Sequence, residues 1–91
     1  MQYVVCYDIA DDRRRDHLSS VLLNYGKRVQ ESVFVANLDT ELAQRMSEDV
    51  EKALDMERDR VHIFRLCRAC VDGTVVMGTA EVVEDRAWYV V

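Results

Sequence analysis

Residues 2–26 read QYVVCYDIADDRRRDHLSSVLLNYG. The opening part, 2–9, is β-branched and aromatic and too short for a helix, which is the composition of a strand. Alternation places Val4, Cys6 and Asp8 on one face, and Tyr3, Val5, Tyr7 and Ile9 on the other. Both faces are mostly apolar, so the strand is expected at the centre of a sheet. The period then changes. Leu18, Val21, Leu22 and Tyr25 recur at helical spacing and predict a helix over 12–25. Asp11 and Asp12 stand where a cap accepts the orphan N–H groups of the first turn, and Gly26 is expected as a left-handed C-cap. Leu23 falls more than about 90° off the apolar stripe at ~100° per residue, so it is expected to face a partner.

The remainder repeats the alternation of periods. Residues 28–38, RVQESVFVANL, are strand-like and fit one bent strand or two short ones. Residues 39–56 predict a second helix, capped by Asp39, with Leu42, Met46, Val50, Ala53 and Leu54 as its stripe. Residues 60–67, RVHIFRLC, predict a strand, and VDGTVV at 71–76 an Asp-Gly turn leading into another at 74–78. The tail, with Trp88 and Tyr89, is strand-like again. Two helices spaced through four or five strands predict an α+β sandwich. The expected form is a ferredoxin-like βαββαβ unit with an additional C-terminal strand, both helices lying on one face of a mainly antiparallel sheet. The apolar last strand, from 78 to 91, would need cover from its own sheet, a second protomer or another protein.

The 91 residues set one domain, 1–91, as the expectation. A domain of this size buries only about 60% of its unfolded surface, which makes a dimer an attractive source of further burial. The N-terminus lacks the features of a signal peptide, and three cysteines without framework spacing suit a reducing compartment, so a cytoplasmic location is expected. No run is long enough to span a membrane. The net charge of −5 argues against a simple nucleic-acid-coating domain. The charge is uneven, however. Residues 1–38 carry five acids and five bases, with Arg13, Arg14 and Arg15 adjacent, whereas 39–60 carry eight acids and four bases. A polyanion would have to meet the first segment and avoid the second.

Asp8, at the end of an apolar strand, fits two roles. It could ligate a hard cation such as Mg²⁺, or it could cap the following loop. One carboxylate is a poor cage, but a residue near a two-fold axis meets its own copy, and two Asp8 side chains could share one ion. Asp11 and Asp12 are read as caps. Arg14 and Arg15 lie at the edge of the apolar stripe with heads expected near Asp8, while Arg13 points away. As planar forks they suit phosphate oxygens, or else they pair with Asp11, Asp12 and Asp16. Lys27 and Arg28 would extend the same surface. His62, Cys67 and Cys70 stand together in HIFRLCRAC, and the Cys-x-x-Cys pair fits a zinc knuckle or a redox motif, but a structural zinc site needs four ligands, and Cys67 is expected to end a strand as a small buried hydrophobe.

The stretch YVVCYDIADDRRRDHLSSVLLNYGKRVQESVF (3–34), followed by RVHIFRLCRAC (60–70) and an apolar C-terminal strand, resembles the CRISPR-associated protein 2 family. The likeness covers nearly the whole chain. It rests on Tyr7-Asp8-Ile9 closing a strand, Asp12 and the arginines opening a helix, and Tyr25-Gly26 ending it. Val35 departs from the acidic residue of many relatives. The resemblance implies a ferredoxin-like homodimer in which Asp8, as catalytic and metal-binding residue, holds Mg²⁺ or Mn²⁺ across the dimer axis for hydrolysis of single-stranded RNA or double-stranded DNA. It implies supporting positions at Tyr7, Arg15, Arg28 and Phe34. It also implies a scaffold role in CRISPR adaptation (spacer acquisition), the dimer bridging integrase subunits (CRISPR-associated protein 1) and supporting protospacer DNA. The alternatives are an adapter without catalysis, or a ferredoxin-like metal or ligand module built on Cys67 and Cys70.

Overall fold

The computed structural model describes residues 1–78. Strand β1 (Gln2–Asp8) is followed by α1 (Asp12–Leu22), β2 (Lys27–Gln30), β3 (Val33–Asn37), α2 (Thr40–Ala53), β4 (Arg60–Leu66) and a short helix α3 (Arg68–Asp72). The four strands form one sheet in the order β2-β3-β1-β4, and every neighbouring pair is antiparallel. This is the ferredoxin-like arrangement, and β1 is central as its two apolar faces require. Residues 28–38 are two strands, turned at Glu31–Ser32, with a register irregularity between Arg28 and Gln30.

The core lies between the sheet and the two long helices. Val5, Tyr7 and Ile9 from the first strand segment meet Phe34, Ala36 and Leu38 from β3, Leu18 and Leu22 from α1, and Met46, Val50 and Ala53 from α2. The odd-numbered residues of β1 thus face the helices, and Val4, Cys6 and Asp8 face the other way, as alternation requires. Asp11 is the N-cap of α1, its Oδ1 accepting the Arg14 N–H at 2.9 Å, and Asp39 caps α2 through the Leu42 N–H at 2.8 Å. Asp12 is instead the first residue of the helix, paired with Arg15.

Five expectations are corrected. The first helix ends at Leu22, with a turn through Tyr25, and Gly26 does not adopt a left-handed conformation. Glycine is needed there for close approach: a Cβ would lie 2.3 Å from the Val35 carbonyl oxygen and 2.8 Å from the Ala36 Cβ. The second helix ends at Ala53, three residues early, where Leu54 turns extended. Cys67 is exposed, because β4 stops at Leu66 and Cys67 becomes the residue that starts α3. No strand forms at 74–78. Asp72-Gly73 closes a helical turn instead, with Thr74 bonded back to Val71 and Cys70, and Val75 and Met77 stay exposed. The expected C-terminal strand with Trp88 and Tyr89 lies outside the described residues. Leu23 is exposed, off the stripe as its angle predicts.

Candidate functional site

Asp8 ends β1 and is exposed on the sheet face turned away from the helices. Its cross-strand partner is Arg60, and Cys6 pairs with His62. Period-two alternation brings Cys6, Asp8, Arg60 and His62 onto one face. With Tyr7 they line an open depression of about 240 Å³. His62 stacks on Phe64, two residues along the same strand, with ring centroids 5.9 Å apart and planes 6° from parallel. Phe64 is 52% exposed, so an aromatic pair stands in the open beside the carboxylate.

Sequence reading did not assign Arg60 or His62 to the Asp8 site. A signal existed: in RVHIF the polar and aromatic residues alternate with Val61 and Ile63. What the sequence withheld was the register that sets Arg60 opposite Asp8.

The other candidates divide between the two faces. Tyr7 and Phe34 are buried on the helix side. The Tyr7 hydroxyl shares a 2.8 Å hydrogen bond with the Ser19 hydroxyl, and the two rings are 6.2 Å apart. They shape the layer beneath the site. Arg28 sits on the edge strand with its guanidinium carbon 5.4 Å from the Phe34 ring centre, so it belongs to the helix side too. Lys27 pairs with Val35 at that same edge. Arg15 is closer to the carboxylate along the chain: its Nη1 donates to the Ile9 carbonyl at 3.2 Å and its Nη2 to Asp12 at 2.5 Å. The bond to Asp12 is the chief cause that raises the affinity of its guanidinium for its proton.

Arg14 has a structural engagement that spacing did not foretell. Its Nε and Nη2 grip Asp59 at 2.8 and 3.1 Å, and the Asp59 side chain is only 1% exposed. The Asp55 N–H adds a third bond to the same carboxylate at 2.9 Å. The head of Arg14 is therefore turned to the α2–β4 connection and not to Asp8. Arg14 first, and the Asp55 amide second, hold the Asp59 carboxyl below its ordinary value of 3.8. A depressed carboxylate stabilises the fold above the unfolded value, and that contribution is lost as the pH falls through the lower folded value. Thermal melts from neutral pH to about pH 3 should therefore show an acid-side decline that Asp59→Asn flattens, while lowering the melting temperature at neutral pH. An unchanged acid slope in the variant would refute the assignment.

A hard divalent ion prefers six or more oxygens, and among the described residues no group of three His, Cys, Asp or Glu side chains is gathered for one. A single chain thus offers half a site at best: one accessible carboxylate at Asp8, with a guanidinium across from it.

The family model of CRISPR associated protein Cas2 matches residues 1–73. This chain belongs to the Cas2 family. Among the relatives it is similar to, a CRISPR-associated endoribonuclease Cas2 of Chloroflexus aurantiacus is 38% identical over 88 residues, spanning 97% of this chain and 95% of that one. A CRISPR-associated endonuclease Cas2 of Thermus thermophilus is 42% identical over 62 residues, 68% of this chain and 69% of the relative. Among solved structures, a hypothetical protein of Thermus thermophilus superposes with a TM-score of 0.78 at 36% identity, covering 88% of this chain and 93% of that one. Streptococcus pyogenes Cas2 shares the fold, with a TM-score of 0.76 at 22% identity over 86% of this chain and all of that one. The Cas2 fold accordingly places Asp8 at the end of a central strand on an open sheet face. Among the described residues no helix is long and apolar enough to cross a membrane.

Proposed function

We propose that this Cas2-family chain works in CRISPR adaptation (spacer acquisition) as a homodimeric, nucleic-acid-binding subunit, with metal-dependent phosphodiesterase activity at a site shared by two copies of Asp8. The observation that carries the reading is the exposed Asp8 at the end of the central strand, open to a second copy and supplied with too few neighbouring donors to act alone. Mg²⁺ or Mn²⁺ between two such carboxylates would polarise a phosphate and activate water at neutral pH. The chain's own groups do the rest. Asp8 would hold the ion, Arg60 offers a guanidinium to phosphate on the same face, and His62 with Phe64 gives a surface on which an unpaired base can stack.

Names borne by relatives, endoribonuclease and endonuclease, support RNA or DNA as substrate. The scaffold reading draws on the same shortage of donors: a dimer that bridges integrase subunits and supports protospacer DNA needs no complete metal site. Assays of RNA and DNA cleavage in Mg²⁺, run beside spacer acquisition in cells for the wild type and Asp8→Asn, separate the two. Loss of cleavage with acquisition intact supports a scaffold in immunity. Loss of acquisition by an intact assembly ties the carboxylate to the pathway and refutes the pure scaffold.

Arg15 and Arg28, with Lys27, are the proposed backbone contacts. Arg14 contributes to that surface only by giving up its fork on Asp59, so it is the weakest of the four. Arg15→Ala with Arg28→Ala should weaken duplex binding and make the salt slope shallower by about one for each phosphate no longer neutralised, whereas charge reversal at Glu48 on α2 should leave it unchanged. Equal losses from both surfaces would overturn this placement.

A further inference from the structure

Cys67 and Cys70 stand outside the site just described. Both are exposed, and their Sγ atoms lie 3.5 Å apart. Cys67 joins β4 to α3, and Cys70 lies one turn on. The Val71 N–H bonded to the Cys67 carbonyl and the Thr74 hydroxyl bonded to the Cys70 carbonyl, each at 3.1 Å, hold that turn. The remaining cysteine, Cys6, is half-buried on β1 between β3 and β4. A disulfide bond is about 2.05 Å long, so the pair lacks only about 1.5 Å of side-chain approach.

The two sulfurs are unequal. The Cys70 amide, and then the contact between the two sulfurs, hold the Cys67 thiol below the ordinary cysteine value, and the same contact pushes Cys70 up. Since the thiolate is the attacking form, Cys67 is the nucleophile and Cys70 the resolving thiol.

We propose that Cys67 and Cys70 form a reversible dithiol–disulfide site that exchanges with a low-molecular-weight disulfide of the glutathione type. The Cys67 thiolate attacks one sulfur of the oxidised partner. The partner's S–S bond breaks, and one thiolate leaves and takes up a proton. Cys70 then gives its proton to solvent and attacks Cys67 Sγ in the mixed disulfide. The Cys67–Cys70 bond forms, and the second partner thiol departs with a proton. Two electrons pass from the cysteine pair to the partner disulfide, so no metal or further oxidant enters. The closed ring would lock the point where the chain leaves β4, the strand that carries Arg60 and His62.

The test uses the full chain incubated with oxidised glutathione and then denatured for thiol titration and intact-mass measurement. Free thiols should fall from three to one, with the mass of two hydrogens lost and no glutathione retained. Excess reduced glutathione should restore all three. Cys6→Ser should still lose two thiols, and Cys70→Ser should keep one glutathionyl group on Cys67. The proposal is overturned if three thiols survive, if the wild type retains stable adducts on both cysteines, if Cys6→Ser abolishes the loss, or if non-reducing gels show the bond to join two chains.

Discussion

Cleavage of RNA or DNA in Mg²⁺ by Asp8→Asn should fall more than about 100-fold below the wild type, since even partners outside the ligand shell cost 10–100-fold at metal sites. The argument is one of charge at constant shape. Asn keeps the volume of Asp, and the side chain is exposed, so packing is untouched. What is lost is one formal negative charge per chain, and two per ion if a two-fold axis brings two copies together. Binding of Mn²⁺ by titration calorimetry supplies a readout independent of turnover. The wild type should bind one ion per two chains, and the variant none at the same concentration. The melting temperature should stay within the spread of ordinary surface substitutions. Undiminished ion binding in the variant would sink the shared site, whatever its activity.

Phe34→Ala carries the largest expected effect on stability. Phe34 is 1% exposed and is the bulkiest of the fully buried side chains. Emptying such a position costs about 3–5 kcal/mol, through lost transfer energy and the cavity left behind. A chain of this length has roughly 5–14 kcal/mol in all, so the variant should be near its unfolding threshold at ambient temperature. Urea denaturation at fixed chain concentration checks this, and Phe34→Leu should recover most of the loss. The ring also lies under Arg28. Its removal therefore frees an arginine proposed to meet phosphate, and nucleic-acid binding by the Leu variant should weaken modestly while its fold persists. A cost below about 1 kcal/mol for the Ala variant would show that the ring is not a core member.

The ferredoxin-like order was legible because each element carries its own period. Val5, Tyr7 and Ile9 alternate, Leu18 and Leu22 recur at one-turn spacing, and Asp11 and Asp39 sit where caps belong. These are local properties, decided within a turn or a strand. The errors have two sources, a close approach by another strand at Gly26 and a competing local helical turn at 67–73. Gly26 reads as a left-handed cap, but the β3 backbone comes within reach of any Cβ there and makes glycine necessary for a different reason. VDGTVV reads as a hairpin turn, yet α3 consumes its Asp-Gly. Cys67 reads as the buried end of a strand, yet it opens that helix in full exposure.

For the site the division is sharper. Asp8 could be singled out from the chain alone, since a first charge at the end of an apolar strand is visible in one line of residues. Its companions could not. Arg60 and His62 are more than fifty residues away and join it only through the β1–β4 register. Arg14, grouped by sequence with Arg15 as a phosphate contact, is drawn off by Asp59, forty-five positions along, because a buried carboxylate needs a partner. Sequence by itself determined the periods, the N-caps Asp11 and Asp39 and the family, all of which are written in short-range patterns. Only the tertiary structure decided which charges face each other, because that depends on strand order and register, and these are settled by the packing of the whole sheet against its two helices.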